Sequence, residues 1–114
     1  MGTLFKFLNR GNITVGVVAE AIVTNTLATT QTTITGIYIH NPDTVVRTVT
    51  LYIVPTGSTA IDTTQVWEEE VGVDETLTIN DIPILLEGAG DVLYAKCSSA
   101  DACNVFVFGA VTTL

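Results

Sequence analysis

The segment 91–110 (DVLYAKCSSADACNVFVFGA) constrains the fold most strongly, because it reads as two β-strands around a short turn. When Cys97 is placed opposite Cys103, the same register pairs apolar and aromatic residues along both strands. The small, turn-rich residues between the cysteines are typical of a hairpin tip. We therefore predict an antiparallel β-hairpin. A period of two gives it one face with Leu93, Ala95, Cys97, Cys103, Val105 and Val107, and another with Val92, Tyr94, Lys96, Phe106 and Phe108.

Both faces of this predicted hairpin are largely apolar, whereas an antiparallel hairpin in a two-layer domain normally turns one face to water. A further part of the chain or another subunit should therefore cover the second face. Charged residues make up only 14% of the 114 residues and hydrophobic residues 47%, so few charges remain to solvate a free surface. We expect a homo-oligomer, with a trimer favoured, over a compact monomer coated with threonine.

The rest of the chain reads as further short strands separated by turns. The segments 32–40 and 45–54 flank Asn41-Pro42-Asp43-Thr44, a strong turn signal, and are expected to form a second hairpin. Other strands are predicted within 13–26, 65–71 and 75–80. Roughly seven to eight short strands at near-regular spacing predict an all-β fold, an antiparallel β-sandwich or jelly roll. We assign 1–12 to an N-terminal arm and 13–114 to a single sandwich domain.

The predicted arm carries two apolar pairs, which are too short for the hydrophobic core of a secretory signal. The arm is either a frayed terminus or first edge strand, or a segment that docks on a neighbouring subunit. In the docking interpretation its contact residues are Leu4, Phe5, Phe7 and Leu8.

The charge balance argues against two classes of partner. The net charge is −8, and Lys6, Arg10, Arg47 and Lys96 are the only cationic residues apart from one histidine. Such a chain has no patch that could neutralise phosphates, so direct nucleic-acid binding is not expected. Attachment to an anionic membrane surface is equally unfavourable, and no apolar run approaches the length of a membrane span.

No combination of residues points to catalysis, a metal or a cofactor. His40 is the only histidine, and neither a second ligand at metal-binding spacing nor a serine in a nucleophile motif accompanies it. The acidic run Glu68-Glu69-Glu70 lacks the spacing of a calcium loop and is typical of a solvated strand edge. We therefore predict no catalytic residues, no metal ligands, no cofactor and no enzymatic activity.

The two cysteines leave two interpretations open. Directly opposed across a hairpin, Cys97 and Cys103 would be close enough for a disulfide bond in an oxidising compartment. Alternatively they are two small buried hydrophobic residues. Their interval does not match a redox or zinc motif.

Four segments in succession carry a family resemblance: 35–41 (TGIYIHN), 49–55 (VTLYIVP), the step from Gly90-Asp91 into Leu93-Tyr94-Ala95, and 103–109 (CNVFVFG). This order resembles a group of small β-sandwich virion proteins of tailed bacteriophages, over roughly 32–110. The chain departs from that group in its two cysteines and in Phe108 before the closing glycine.

The resemblance implies a virion structural protein that is made in the host cytoplasm, most often a capsid decoration or cement subunit. Its partners would be copies of itself and major capsid or other virion proteins. Phe106 and Phe108 would join the arm residues as subunit contacts that stabilise the head. The alternative is a tail- or fibre-associated module that binds host-surface carbohydrate, for which Trp67 is the candidate ligand contact.

Overall fold

The computed structural model describes residues 3–8, 13–81, 84–100 and 102–114. Within them the chain is almost entirely β-structure, with one turn of 3₁₀-helix at Asp62–Thr64. The strands described are β1 (Thr3–Phe7), β2 (Ile13–Val15), β3 (Glu20–Asn25), β4 (Thr30–His40), β5 (Arg47–Val54), β6 (Gln65–Val71), β7 (Thr76–Ile79), β8 (Ile84–Leu86), β9 (Asp91–Cys97) and β10 (Cys103–Thr113).

The strands form two antiparallel sheets that pack face to face. The first sheet has the order β1-β10-β4-β7, in which β2 also pairs with β10 and β8 also pairs with β4. The second sheet has the order β3-β9-β5-β6. Apart from the connections β1–β2, β5–β6 and β7–β8, every described connection between successive strands passes from one sheet to the other. The predicted all-β sandwich is confirmed, and this alternation between sheets is a jelly-roll connectivity.

The hydrophobic core lies between the two sheets, where alternate residues of the central strands point inward, with a shift of one residue in β4 between Ile34 and Ile37. The first sheet contributes isoleucines of β4 and alternate residues of β10, and the second contributes alternate residues of β5 and β9. All of them expose 2% of their surface or less: Ile34, Ile37, Ile39, Val49, Leu51, Leu93, Ala95, Cys97, Cys103, Val105 and Val107.

The predicted hairpin at 91–110 is wrong in its pairing and right only in the residues that it turns towards the core. β9 pairs with β3 and β5 in the second sheet, whereas β10 pairs with β1, β2 and β4 in the first. The two strands therefore face each other across the core, and the apolar set that includes Cys97 and Cys103 is buried between the sheets. The second predicted face is not one surface, because Val92, Tyr94 and Lys96 lie on the outer side of the second sheet, whereas Phe106 and Phe108 lie on the outer side of the first.

The predicted second hairpin, 32–40 with 45–54, is wrong for the same reason. β4 belongs to the first sheet and β5 to the second, so the turn after Asn41 crosses between layers. Asn41 is fully buried there, and its side-chain amide donates hydrogen bonds to the carbonyl oxygens of Val45 and Val71, each at 2.9 Å. The true neighbour of β5 along the chain is β6, with Leu51 opposite Trp67.

Part of the predicted arm lies in the first sheet. β1 forms one edge on β10, in a register that runs from Thr3 opposite Thr112 to Phe7 opposite Phe108. Residues 1, 2 and 9–12 of the predicted arm lie outside the described residues.

Candidate self-association surface

Three aromatic residues lie together on the outer face of the first sheet. We call this surface the aromatic face and define it by Tyr38 on β4 with Phe106 and Phe108 on β10. Phe106 is the register partner of Tyr38, and Phe108 lies opposite Gly36. The rings of Tyr38 and Phe108 meet diagonally across the two strands, with centroids 5.0 Å apart and planes tilted by 56°. Tyr38 is 42% exposed, while the two phenylalanines are partly buried.

On the side of β7, the residues opposite the aromatic strand β4 are polar. Thr78 of β7 lies opposite Tyr38, and Thr76 lies opposite His40. The Nδ1 atom of His40 lies 2.9 Å from the hydroxyl of Thr76, and its Nε2 atom lies 3.4 Å from a carboxylate oxygen of Asp74. Hydroxyl groups therefore border the aromatic rings, and the acidic Asp74 lies beside His40 at the strand end.

The predicted subunit contacts divide between the aromatic face and the β1 edge. Phe106 and Phe108 lie on the aromatic face, and the backbone of Phe7 is the register partner of Phe108. The side chains of Leu4, Phe5 and Phe7 fall outside what the structure describes. Leu8 packs against the core of its own chain, and its backbone N–H donates to the carbonyl of Val107 at 2.9 Å.

Tyr38 is the most exposed ring of this surface, and the sequence pattern alone did not single it out. Side chains alternate between the two faces along β4, so Tyr38 points away from the core that contains Ile37 and Ile39. The predicted hairpin, however, paired β10 with β9, so no predicted strand pairing placed Tyr38 beside Phe106. The true pairing of β4 with β10 creates the aromatic face.

The outer face of the second sheet is covered by its own chain around the middle of β5. Tyr52 and Thr50 point outward from β5, yet they expose only 3% and 2% of their surface. Residues of the segment 55–64 line a cleft with Tyr52 and Lys96. The Lys96 ammonium lies 5.7 Å from the centre of the Tyr52 ring, and a hydrogen bond to Tyr52 raises the pKa of Lys96. The ring of Tyr52 is therefore not available to a partner.

The acidic run lies on β6, at one edge of the second sheet, as predicted for a solvated edge. Glu68, Glu69 and Glu70 are all exposed. Such charges oppose the pairing of a further strand onto an open edge. Trp67, the candidate carbohydrate contact, lies in the same strand but is partly buried and packs against the core.

The side chains of Cys97 and Cys103 meet in the core between the two sheets, and the two residues are not partners in a pair of hydrogen-bonded strands. Cys97 is the register partner of Val49, and Cys103 that of Val15. Both cysteines are buried thiols, and their Sγ atoms lie 2.9 Å apart. Burial and the hydrogen bond with Cys97 raise the pKa of Cys103 to about 12.

The described residues contain no group of three or more His, Cys, Asp or Glu side chains placed to hold a metal ion. No helix within the described ranges is long and apolar enough to cross a membrane.

No protein-family model and no curated protein matches this sequence. Among solved structures, the chain is similar to one from Bacillus endospore appendages, described as a family of disulfide-linked pili. The two share 13% identity over 98% of this chain and 88% of that one, with a TM-score of 0.60. A chain of the infectious bursal disease virus Gt strain aligns with 96% of this chain and 28% of its own length, at 11% identity and a TM-score of 0.29. The endospore-appendage likeness shows a shared fold.

Proposed function

We propose that this chain is a non-enzymatic structural subunit that associates with copies of itself through the aromatic face. The observation that carries the proposal is the exposure of Tyr38 beside Phe106 and Phe108 on the outer face of the first sheet. Aromatic side chains that bury their rings against a partner are the usual energetic centre of a protein interface.

The distribution of charge favours a second copy of this chain at that surface. Two copies that each carry a net charge of −8 repel each other, so they can meet closely only where few carboxylates stand. The described positions of β4, β7 and β10 around Tyr38 bear hydroxyl and aromatic groups, whereas three consecutive glutamates lie on β6 of the other sheet. Self-association through the aromatic face therefore keeps the glutamates of β6 out of the contact.

The fold neighbour and the sequence resemblance support an assembly role. In the endospore appendages a chain of the same fold belongs to a pilus. The segments 35–41 and 103–109, which carry much of the resemblance to phage virion proteins, are the parts of β4 and β10 that hold the aromatic face. We propose a bacteriophage capsid decoration subunit, active as a trimer in the virion beside the major capsid protein.

The carbohydrate-binding alternative draws no support from a specific contact. Its candidate residue, Trp67, packs against the core instead of standing on an exposed loop. Self-association remains the function that the geometry supports best.

The test is the solution mass of the purified protein, measured by light scattering over a dilution series. We expect a concentration-dependent oligomer, and we expect Tyr38→Ser to raise the concentration at which it dissociates by about tenfold or more. Val73→Ser is the matched control, because Val73 is 53% exposed in the turn between β6 and β7. Circular dichroism verifies that each variant folds. A wild-type monomer at every concentration would overturn the proposal.

Electron microscopy of the same samples separates the decoration role from other assemblies. A decoration subunit should appear as discrete small oligomers, because it completes its array only on a capsid. Long filaments would contradict the decoration role while leaving self-association intact. Deleting 1–12 is a poorer test, since it would also remove β1 from the edge of β10.

A further inference from the structure

We propose that Cys97 and Cys103 form a disulfide bond within one chain when the protein meets a small-molecule disulfide oxidant. The bond would join the end of β9 in the second sheet to the start of β10 in the first. It would therefore tie the two sheets together across the core. The inference is independent of the proposed function, because it concerns the fold of a single subunit.

The geometry places the two sulfur atoms in contact before any reaction. They lie 2.9 Å apart, and a disulfide bond of about 2.05 Å needs them to approach by roughly 0.9 Å more. Both cysteines are buried, with 2% and 0% of their surface exposed. Each sulfur is thus held beside the other and away from the thiols of other molecules, which favours an intrachain bond.

The backbone on either side of the cysteines holds this arrangement. The N–H of Cys97 donates to the carbonyl of Gly16 at 2.7 Å, and the N–H of Ala102 donates to the carbonyl of Val15 at 3.1 Å. One short stretch at the end of β2 therefore anchors both strands that carry the sulfurs. Closing the bond requires a small movement of side chains and no change in strand pairing.

The oxidation balances through thiol–disulfide exchange with oxidised glutathione. One cysteine thiolate attacks a glutathione sulfur, forms a mixed disulfide and releases one glutathione thiolate. The second cysteine thiolate then displaces the remaining glutathione. Two cysteine thiols are oxidised, one glutathione disulfide is reduced to two thiols, and the two cysteine protons end on those thiols.

Burial predicts that this reaction is slow in the folded protein. The thiolate is the attacking species, and the pKa of Cys103 is raised to about 12, so little thiolate exists at neutral pH. Reaction then depends on a local opening that exposes one of the two cysteines. Mild denaturant should accelerate oxidation, whereas a reducing cytosol should keep both thiols free.

The test equilibrates the full-length protein with oxidised glutathione in mild denaturant, then alkylates remaining thiols with a maleimide under strong denaturation. We expect monomers that have lost about 2 Da and take up no maleimide. Relative to the reduced protein, the oxidised protein should melt about 5–10 °C higher, and a reductant should restore the lower value. The variant C97A/C103A should melt at the same temperature with and without oxidant.

Two results would overturn the inference. One is the retention of two alkylatable thiols after full equilibration with the oxidant. The other is the appearance of disulfide-linked dimers on non-reducing gels in place of oxidised monomers. The single variants C97A and C103A provide the reference for such dimers, because each leaves one cysteine with no partner in its own chain.

Discussion

Gly109 of β10 lies so close to Thr33 of β4 that a Cβ atom at position 109 would overlap the carbonyl oxygen of Thr33. The two strands change register between Phe108 and Gly109, and this irregularity brings the backbones together. A side chain of any size must push β4 and β10 apart at the centre of the first sheet. We therefore expect Gly109→Ala to lower the free energy of unfolding by about 1–3 kcal/mol, measured by urea denaturation.

Gly36→Ala is the matched control for this prediction. Gly36 lies on β4 opposite Phe108, and a Cβ atom there would meet nothing within 4 Å. Since alanine restricts the unfolded chain more than glycine does, Gly36→Ala should leave stability unchanged or raise it by up to about 1 kcal/mol. Equal losses in the two variants would contradict the close approach at Gly109.

Asn41→Asp should destabilise the fold by about 2–4 kcal/mol in the same measurement. The carboxylate retains an oxygen for the N–H of Asp43, at 3.0 Å in the wild type, but loses both donors to Val45 and Val71. Two carbonyl oxygens would then face a buried negative charge. Asn80→Asp makes the same change at an exposed position and should cost less than about 0.5 kcal/mol. A small loss at position 41 would mean that this turn is not buried.

Asp91 should contribute a pH-dependent part of the stability. Its carboxylate accepts the backbone N–H groups of Gly88 at 2.8 Å and Thr56 at 3.1 Å, and the bond from Gly88 chiefly holds its pKa below 3.8. Because the folded pKa is lowered, this contribution is present above about pH 4 and is lost as the pH falls through the folded value.

Asp91→Asn tests this dependence by thermal or urea unfolding at several pH values. The variant should be less stable than the wild type by about 1 kcal/mol near pH 7, and the difference should shrink below about pH 4. Glu87→Gln removes one carboxylate at an exposed neighbouring position and serves as the control. The prediction would be contradicted if the difference in stability between Asp91→Asn and the wild type stayed constant down to pH 2.

Trp67→Ala should lower stability by about 1–3 kcal/mol, because the indole packs against the core while remaining partly exposed. Val66→Ala, one residue away and 49% exposed in the wild type, should change stability by less than about 0.5 kcal/mol. An unaltered unfolding midpoint for Trp67→Ala would show that its ring is available to a ligand, and would revive the carbohydrate-binding alternative.

Alternation along the chain predicted which residues point inward, but not which strands are neighbours. In 91–110 the same residues face the core whether the two strands form a hairpin or lie in different sheets. In both arrangements the turn brings Cys97 opposite Cys103, and alternation along each strand then fixes the remaining core residues. A five-residue connection between Cys97 and Cys103 spans the roughly 10 Å between packed sheets as easily as it closes a hairpin. The proximity of the two cysteines was therefore predictable, and their membership of different sheets was not.

The aromatic face could not be predicted in full without knowing which strands are neighbours. Phe106 and Phe108 could be chosen from their own strand, because they alternate with Val105 and Val107 of the core. Tyr38 could be chosen only by knowing that β4 pairs with β10, a contact between segments about 70 residues apart in sequence. Surfaces formed by non-local pairing cannot be located from local periodicity alone.

The central place of β10 in the first sheet also bears on how the chain acquires its structure. β10 pairs with β1, β2 and β4, all of which precede it by many residues. Until β10 has been synthesised, nothing joins β1 and β2 to β4, so the first sheet cannot close before β10 emerges. Such non-local pairing slows folding and leaves apolar strands open to other nascent chains, which makes the interval before β10 emerges the period of greatest aggregation risk.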